Sequence, residues 1–347
     1  MVYIYGLLSI YLSYIFTRQI KYNGKLFLAL GILCISGIAI FRGNVGTDTI
    51  SYEEMASAIR FGYESFGLEP GFLGLIELTQ KFINNETYVI RIIALTFCLT
   101  LFVYLLNANR NEIFYLFVFY IPCFFYQNSM NVLRIGLASN FLLLSIQHYR
   151  KANFKIFSLL VLLAVIFHYS TILVVFYCWA LIKDNSRKQM AYVTVFVLLF
   201  FVILFYLNPM YLLQKVDLYS DYKSPSSLSG MGRLLSIIVL IVGVYSSNLP
   251  IANRNKISFW AIVVCTGCYL GTFFTYAALR FLDLSFFAFS ISTLLTYNRL
   301  NLNLNRNIKY AFFISGLVSF AASYHGWVAA FNSSESPFLP YRSLWVM

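Results

Sequence analysis

Three residues of this sequence have the chemistry of a general base and stand next to apolar segments. His168 lies in FHYS at the end of an apolar run, and histidine exchanges protons near neutral pH. Asp48 in VGTDT and Glu69 in LEPGF lie in short turns of a polar stretch. Each carboxylate is either a base or a helix cap. For His168, the alternative to a base is a hydrogen-bonded structural residue.

Arginines stand at or near the ends of several apolar segments. Helix-end anchoring does not explain this choice, because lysine reaches water equally well. The planar guanidinium instead suits a carboxylate or phosphate in a partly dry site. Two interpretations are open. Each arginine could pair with an acid, as Arg280 could with Asp283, or the arginines could together form a phosphate-binding site. We favour the second for the set as a whole. The set is Arg42, Arg60, Arg91, Arg134, Arg233, Arg280 and Arg342. Arg134 and Arg280 are predicted to lie deepest, where ionisable residues are functional candidates.

The composition predicts a chain that lies mostly in lipid. Its 347 residues are 60% hydrophobic and 11% charged, whereas a soluble domain is about 25% charged. The apolar runs are continuous, as in FSLLVLLAVIF, and do not alternate as membrane β-strands do. We therefore expect an all-α polytopic integral membrane protein. The net charge of +12 is then a matter of membrane topology and gives no reason to expect nucleic acid.

About twelve transmembrane helices are expected at about 20 residues per span. The first has no charged segment before it and no small-residue cleavage site after it, so we expect a retained span. The sixth and seventh are short, and are either two spans or one span plus a half-helix broken at His168–Ser170. The predicted helices lie near 2–17, 25–41, 88–106, 112–127, 132–149, 154–168, 170–183, 190–207, 233–249, 257–276, 280–298 and 308–324.

Charge divides the connecting loops into two sets. One set holds most of the lysines and arginines but only Glu112 and Asp184 of the acids, and the positive-inside rule makes it cytoplasmic. Both ends of the chain then lie outside, within a single transmembrane domain 1–347. The predicted outer parts are the loops 42–87 and 208–232 and the C-terminal tail 325–347.

Two of the outer parts have a composition that suggests a role. The polar stretch Phe41–Phe72 is rich in Gly, Thr, Tyr and Phe, which favours a folded functional cap over a disordered linker. Residues 219–232 are rich in Ser and Gly, which is typical of a mobile lid over a cleft.

The sequence contains no recognised motif for a metal or a nucleotide cofactor. It has no HExxH, no DxD, no clustered histidines and no glycine pattern of a P-loop or Rossmann fold. The six cysteines lie inside apolar runs, and the CxxC of Cys265 and Cys268 has no second pair nearby. We interpret them as small buried hydrophobic residues, and expect no metal and no cofactor.

Four motifs, in order along the chain, resemble the EpsG-like branch of the Wzy polysaccharide polymerases. They are FRGNVGTDTISY, LEPGF, an arginine that opens the next helix (Arg91), and FHYS. Arg280 and the PYR at 340–342 fit the same pattern. The resemblance implies a multi-pass enzyme of the bacterial inner membrane. We expect a GT-C-like architecture whose outer loops cap a lateral cleft, with the active site facing the periplasm or outside.

The resemblance also implies a reaction, the polymerisation of O-antigen or exopolysaccharide. The growing glycan leaves undecaprenyl pyrophosphate when a sugar hydroxyl of the incoming lipid-linked repeat unit attacks its anomeric carbon. Arginines would replace a metal at the leaving pyrophosphate. We expect His168 to be the base, with Asp48 and Glu69 as the next candidates. Arg134, Arg233 and Arg280 are assigned to that pyrophosphate, Arg42, Arg91 and Arg342 to a surrounding shell or the acceptor's pyrophosphate, and Tyr341 to stacking on a sugar.

Other classes of function share parts of this pattern. A flippase for lipid-linked oligosaccharides needs a basic cavity, but its charges would run through the membrane interior. An O-antigen ligase shares the donor chemistry and is poorly separated from a polymerase by sequence. A membrane acyltransferase would also use a histidine, but reaches its acyl donor from the cytoplasmic side. The expected partners are lipid-linked repeat units, membrane lipids and a chain-length regulator, without nucleic acid.

Overall fold

The computed structural model describes residues 1–19, 24–63, 68–182, 187–207, 209, 229–332 and 338–344. Within these ranges the regular secondary structure is helical, and the only extended pairing is an isolated bridge between Arg42 and Ser343. The all-α prediction is therefore confirmed.

The helices follow the apolar runs of the sequence, and each of the twelve predicted helices has a counterpart. Two further helices, α3 and α4, form inside the polar stretch that separates the second and third predicted spans. The helices are α1 (Val2–Gln19), α2 (Gly24–Ile40), α3 (Thr49–Arg60), α4 (Pro70–Gln80), α5 (Glu86–Asn107), α6 (Arg110–Tyr115), α7 (Ile121–Met130), α8 (Leu133–Arg150), α9 (Phe154–Phe167), α10 (Thr171–Ile182), α11 (Arg187–Leu207), α12 (Met231–Tyr245), α13 (Ile251–Gly271), α14 (Ala277–Arg299) and α15 (Arg306–Asn332).

Four helical stretches among the described residues are both long and apolar enough to cross a membrane: Glu86–Asn107, Arg110–Met130, Ala277–Arg299 and Arg306–Phe331. Several shorter helices are also strongly apolar, including Gly24–Ile40, Phe154–Phe167 and Met231–Tyr245. This pattern is that of a membrane-embedded protein. The number of twelve spans, the GT-C-like architecture and the single transmembrane domain stay predictions.

Asparagines fix the starts of several helices. The side chain of Asn85 accepts a hydrogen bond from the backbone N–H of Tyr88, and that of Asn153 accepts one from Ile156. Asn109 and Glu112 form a reciprocal capping box at the start of α6. These side chains satisfy N–H groups that have no partner inside their own helix, so the short loops between apolar runs set the helix ends.

A π-helical turn, Leu116–Tyr120, joins α6 to α7. It is buried throughout, and the hydroxyl of Tyr120 lies 2.9 Å from Ser139 Oγ and donates to Asn140 Oδ1 at 2.9 Å. Such turns insert one extra residue into a helix and occur often at functional sites. Here the turn directs a tyrosine into a polar cluster on α8.

The chain divides into two compact units. Unit 1 contains α1 to α9, the last part of α15 from Phe320 onward, and the segment 338–344. Unit 2 contains α10 to α14 and the first part of α15 up to Ser319. The predicted break at His168–Ser170 is present, since α9 ends at Phe167 and α10 begins at Thr171.

Two helices of the polar region after α2, α3 and α4, belong to unit 1. Helices α3 and α4 both pack on α5 and on each other. Helix α3 buries Thr49, Tyr52 and Ala56 on one face, which is the spacing of an amphipathic helix. The stretch is therefore structured where it is described, and its role as a cap stays a prediction.

Candidate functional site

Glu69 is placed next to His168 by a close approach of two helices in unit 1. Pro70 occupies the first position of α4, where its ring favours a helix start, and Glu69 immediately precedes it. A Cβ atom at Gly71 would lie 2.8 Å from Phe167 Cδ2, 2.9 Å from Ile166 Cγ2 and 3.1 Å from the Ile166 carbonyl oxygen. Glycine thus lets the start of α4 lie against the end of α9. The EPG sequence brings its carboxylate to the histidine that follows α9.

His168 and Glu69 form a buried hydrogen-bonded pair. His168 Nδ1 lies 2.9 Å from Glu69 Oε1, and the two residues are 6% and 0% exposed. An ionised carboxylate only accepts hydrogen bonds, so Nδ1 carries a proton, and in the neutral imidazole Nε2 is the acceptor nitrogen. The arrangement is that of an oriented base, in which an acid fixes the tautomer and stabilises the imidazolium when it forms.

Arg134 holds the second oxygen of the same carboxylate. Its Nη1 donates to Glu69 Oε2 at 2.8 Å. Arg134 also lies against Tyr52: its guanidinium carbon is 6.0 Å from the Tyr52 ring centroid, close enough for its charge to act on the phenol. Glu69 therefore has a cation to balance its charge and cannot rotate away from His168 without losing two strong contacts. The carboxylate does not serve as a side-chain cap of α4.

Asp48 lies at the edge of the same group, near Tyr52. Thr47 Oγ1 donates to Asp48 Oδ1 at 2.9 Å, and the backbone N–H of Asp48 donates to Asn131 Oδ1 at 3.0 Å. Gly46 makes this turn with φ of +103°, and a Cβ there would lie 2.5 Å from the Met130 carbonyl oxygen. Asp48 is half-buried and makes no side-chain cap on α3.

Tyr52 is the common neighbour of these residues. Burial raises the pKa of its phenol, Arg134 opposes that rise, and the carboxylates of Asp48 and Glu69 add to it. Its ring packs on Phe72, with the centroids 5.3 Å apart. All three predicted base candidates thus lie around Arg134 and Tyr52 in unit 1. Sequence reasoning missed Tyr52, although its helical spacing with the buried residues Thr49 and Ala56 would have marked the inner face of α3.

Arg42 and Arg91 form a second charged group in unit 1. Arg42 Nη1 donates to the carbonyl oxygens of Ala39 and Ser129, and Arg91 Nη2 donates to that of Gly43. Arg91 also faces Glu53 at 3.5 Å.

The C-terminal segment 338–344 runs beside Arg42. The Gly43 N–H donates to the Arg342 carbonyl oxygen at 2.8 Å, while the side chain of Arg342 is exposed. The Tyr341 hydroxyl donates to the Ile38 carbonyl oxygen at 3.0 Å, and its ring lies 6.0 Å from that of Tyr3. Arg342 therefore contributes backbone to this region, and Tyr341 contributes an anchored ring.

The remaining predicted arginines belong to unit 2. Arg233 Nε donates to Asp283 Oδ1 at 2.6 Å, Nη1 donates to Ser319 Oγ, and the guanidinium lies 5.1 Å from the Phe286 ring centroid. Asp283 is thus paired with Arg233 from the neighbouring helix. Arg280 lies over the Tyr276 ring at 5.9 Å. The grouping of Arg134 with Arg233 and Arg280 on one pyrophosphate joins residues of both units and stays a prediction. Most of the predicted lid, 219–228, lies outside the described residues.

The helical fold and the apolar helices define a membrane-embedded protein, and unit 1 holds the buried hydrogen-bonded pair of Glu69 and His168. The EpsG family model matches residues 25–343, so the chain belongs to the EpsG family, and the resemblance seen in its motifs is confirmed. No curated protein and no solved structure matches the chain. Family membership makes the general function that of a polysaccharide polymerase of the glycosyltransferase type.

Proposed function

We propose that this protein polymerises an O-antigen or exopolysaccharide from repeat units carried on undecaprenyl pyrophosphate, at the outer face of the bacterial inner membrane. The observation that supports this most directly is the buried Glu69–His168 pair. Transfer of a glycan to a hydroxyl needs a base at that hydroxyl, and the pair provides one with its accepting nitrogen fixed.

In the proposed reaction, a sugar hydroxyl of the incoming repeat unit attacks the anomeric carbon of the growing chain. Its proton passes to His168 Nε2 as the new C–O bond forms. The bond between the anomeric carbon and the pyrophosphate oxygen breaks, and the pyrophosphate leaves with the bonding electrons. Glu69 stabilises the resulting imidazolium, as a buried acid does in a catalytic triad. A single displacement of this kind inverts the anomeric centre.

Arg134 has a positioning role in this proposal. Its guanidinium is already engaged by Glu69 and Tyr52, so it fixes the carboxylate that orients the base. Arg233 and Arg280 stay candidates for binding phosphate, a task for which forked donors are suited. The sugar–pyrophosphate bond supplies the free energy of transfer, so the proposal needs neither a nucleotide nor a metal.

The test is the pattern of surface polysaccharide in cells with and without the gene. Loss of the ladder, with a single-repeat band remaining, is expected on deletion, and His168→Ala should fail to restore it. His325→Ala, which changes an exposed histidine of α15, is the matched control and should restore the ladder. Loss of the single-repeat band as well would indicate a flippase or a ligase, and an unchanged ladder would contradict polymerisation.

A further inference from the structure

Arg42 and Arg91 are two buried cations in one part of unit 1. Their exposed fractions are 0% and 4%. Arg42 is held by two backbone carbonyl oxygens, and Arg91 by one carbonyl oxygen and by Glu53 at 3.5 Å. Carbonyl oxygens satisfy N–H groups but carry no full charge. Among the described residues, these contacts give the two guanidinium groups one carboxylate, that of Glu53, which faces Arg91.

Each guanidinium group also has N–H donors without an acceptor among the described residues. Nε and Nη2 of Arg42, and Nε and Nη1 of Arg91, are buried and have no hydrogen-bond partner among the described residues. A buried donor without a partner is costly, and more so when it is charged. Burial, and after it the neighbouring charge of Arg91, lowers the pKa of Arg42. The two arginines therefore carry more positive charge and more N–H donors than the described residues around them neutralise or accept.

We propose that Arg42 and Arg91 together bind one phosphate-type anion, at a place separate from the Glu69–His168 pair. Oxyanions of phosphorus present several acceptor oxygens at once, and guanidinium groups bind them through paired donors. The anion is either a pyrophosphate group carried on a lipid or free pyrophosphate. Only the lipid-linked source rests on the proposed function.

The C-terminal segment controls access to Arg42 in this proposal. Two backbone hydrogen bonds of 2.8 Å, from Gly43 to Arg342 and from Leu344 to Phe41, fasten the segment across the residues that flank Arg42. Tyr341 is close enough to both arginines for their charges to act on its phenol. Entry of an anion therefore requires these two backbone hydrogen bonds to open. The bound anion then accepts hydrogen bonds from the N–H donors of Arg42 and Arg91 that have no other acceptor.

The experiment measures thermal unfolding of the purified full-length protein in detergent, with inorganic pyrophosphate and with sodium chloride at equal ionic strength. Pyrophosphate should raise the Tm above the salt control. Arg91→Gln should weaken the apparent affinity about tenfold. Arg254→Gln removes an arginine that, like Arg42, donates to two backbone carbonyl oxygens, and should leave the affinity unchanged. Glu53→Gln should strengthen binding, because it removes the opposing charge.

Farnesyl pyrophosphate, compared with farnesol, distinguishes the two sources. A shift with both inorganic and farnesyl pyrophosphate supports a site for the free anion, and a shift with the farnesyl compound alone supports a lipid-linked one. The proposal is overturned if neither compound raises the Tm beyond its control, or if Glu53→Gln weakens binding, as it would if Arg91 and Glu53 formed only a structural bridge. Glu53→Gln keeps the test decisive should Arg91→Gln not fold. A normal shift in His168→Ala, together with loss of polymer, would separate this site from the reaction.

Discussion

Glu69 Oε1 accepts a hydrogen bond from Nδ1 of His168 at 2.9 Å, across 99 positions of the chain. Because the other carboxylate oxygen is held by Arg134 at 2.8 Å, the acid is fixed at both oxygens. The first prediction concerns the charge of this acid. Glu69→Gln should lower polymer synthesis about a hundredfold or more, since the amide neither fixes the tautomer of His168 nor stabilises an imidazolium. Polymer length and amount are measured on gels after complementation.

Glu54→Gln is the control for that variant. Glu54 lies exposed on α3, so its loss should leave the ladder intact. Equal activity of Glu69→Gln and Glu54→Gln, at equal protein levels in the membrane, would contradict the role of Glu69.

The second prediction concerns the contact between α4 and α9. Gly71→Ala places a methyl group within 2.9 Å of Phe167 and Ile166, which should push Glu69 away from His168. Overpacking of this kind typically costs about 1–3 kcal/mol, so we expect a lower Tm and a large loss of polymer. Gly74→Ala, on the same helix, meets nothing within 4 Å and should leave activity unchanged. A fully active Gly71→Ala variant would show that the close approach is not needed.

The third prediction concerns Tyr52. Tyr52→Phe keeps the ring on Phe72 but removes the buried hydroxyl on which the charge of Arg134 acts, so stability should fall by about 0.5–1.5 kcal/mol. Because burial raises the pKa of the phenol above its usual value near 10, Tyr52 stays protonated through neutral and mildly alkaline pH. The activity ratio of the variant to the wild type should therefore be constant from about pH 6 to pH 9. A ratio that changes in this range would indicate that the phenol titrates.

The fourth prediction concerns Arg280. Arg280→Lys keeps the charge but loses the forked donors, and should reduce polymer about tenfold or more if the fork binds phosphate. Arg306→Lys is the matched control, because Arg306, like Arg280, lies over a tyrosine four positions away, Tyr310, at 5.2 Å. Near-normal polymer in Arg280→Lys would count against bidentate phosphate binding at this position.

The sequence was sufficient to predict the helices but not the contacts between charged side chains. Continuous apolar runs specify helices locally, so every predicted helix has a counterpart. The choice of partner depends on which helices meet. Asp283 stands three residues from Arg280, yet its partner is Arg233 on α12, 50 positions away. Glu69, the acid bonded to His168, lies in a turn whose sequence predicts a base or a helix cap, because nothing local shows that α4 reaches the end of α9.

The short helices of the polar stretch were missed for a related reason. Helix α3 has an apolar face of only Thr49, Tyr52 and Ala56, and helices this short are unstable alone. They form because α5 supplies the surface on which they pack. The composition of the stretch indicated that it is folded, while the arrangement of Asp48, Tyr52 and Glu69 around Arg134 depends on that packing.

Because Leu116–Tyr120 forms a π-helical turn, the number of residues in this segment is constrained as strongly as their types. Removing one residue there would restore an α-helix and rotate everything after it by about 100°. The Ser129 carbonyl oxygen would then turn away from Arg42, and Asn128 from Ser139. Among related chains, substitutions within these five positions should therefore be tolerated far more readily than a deletion or an insertion of a single residue.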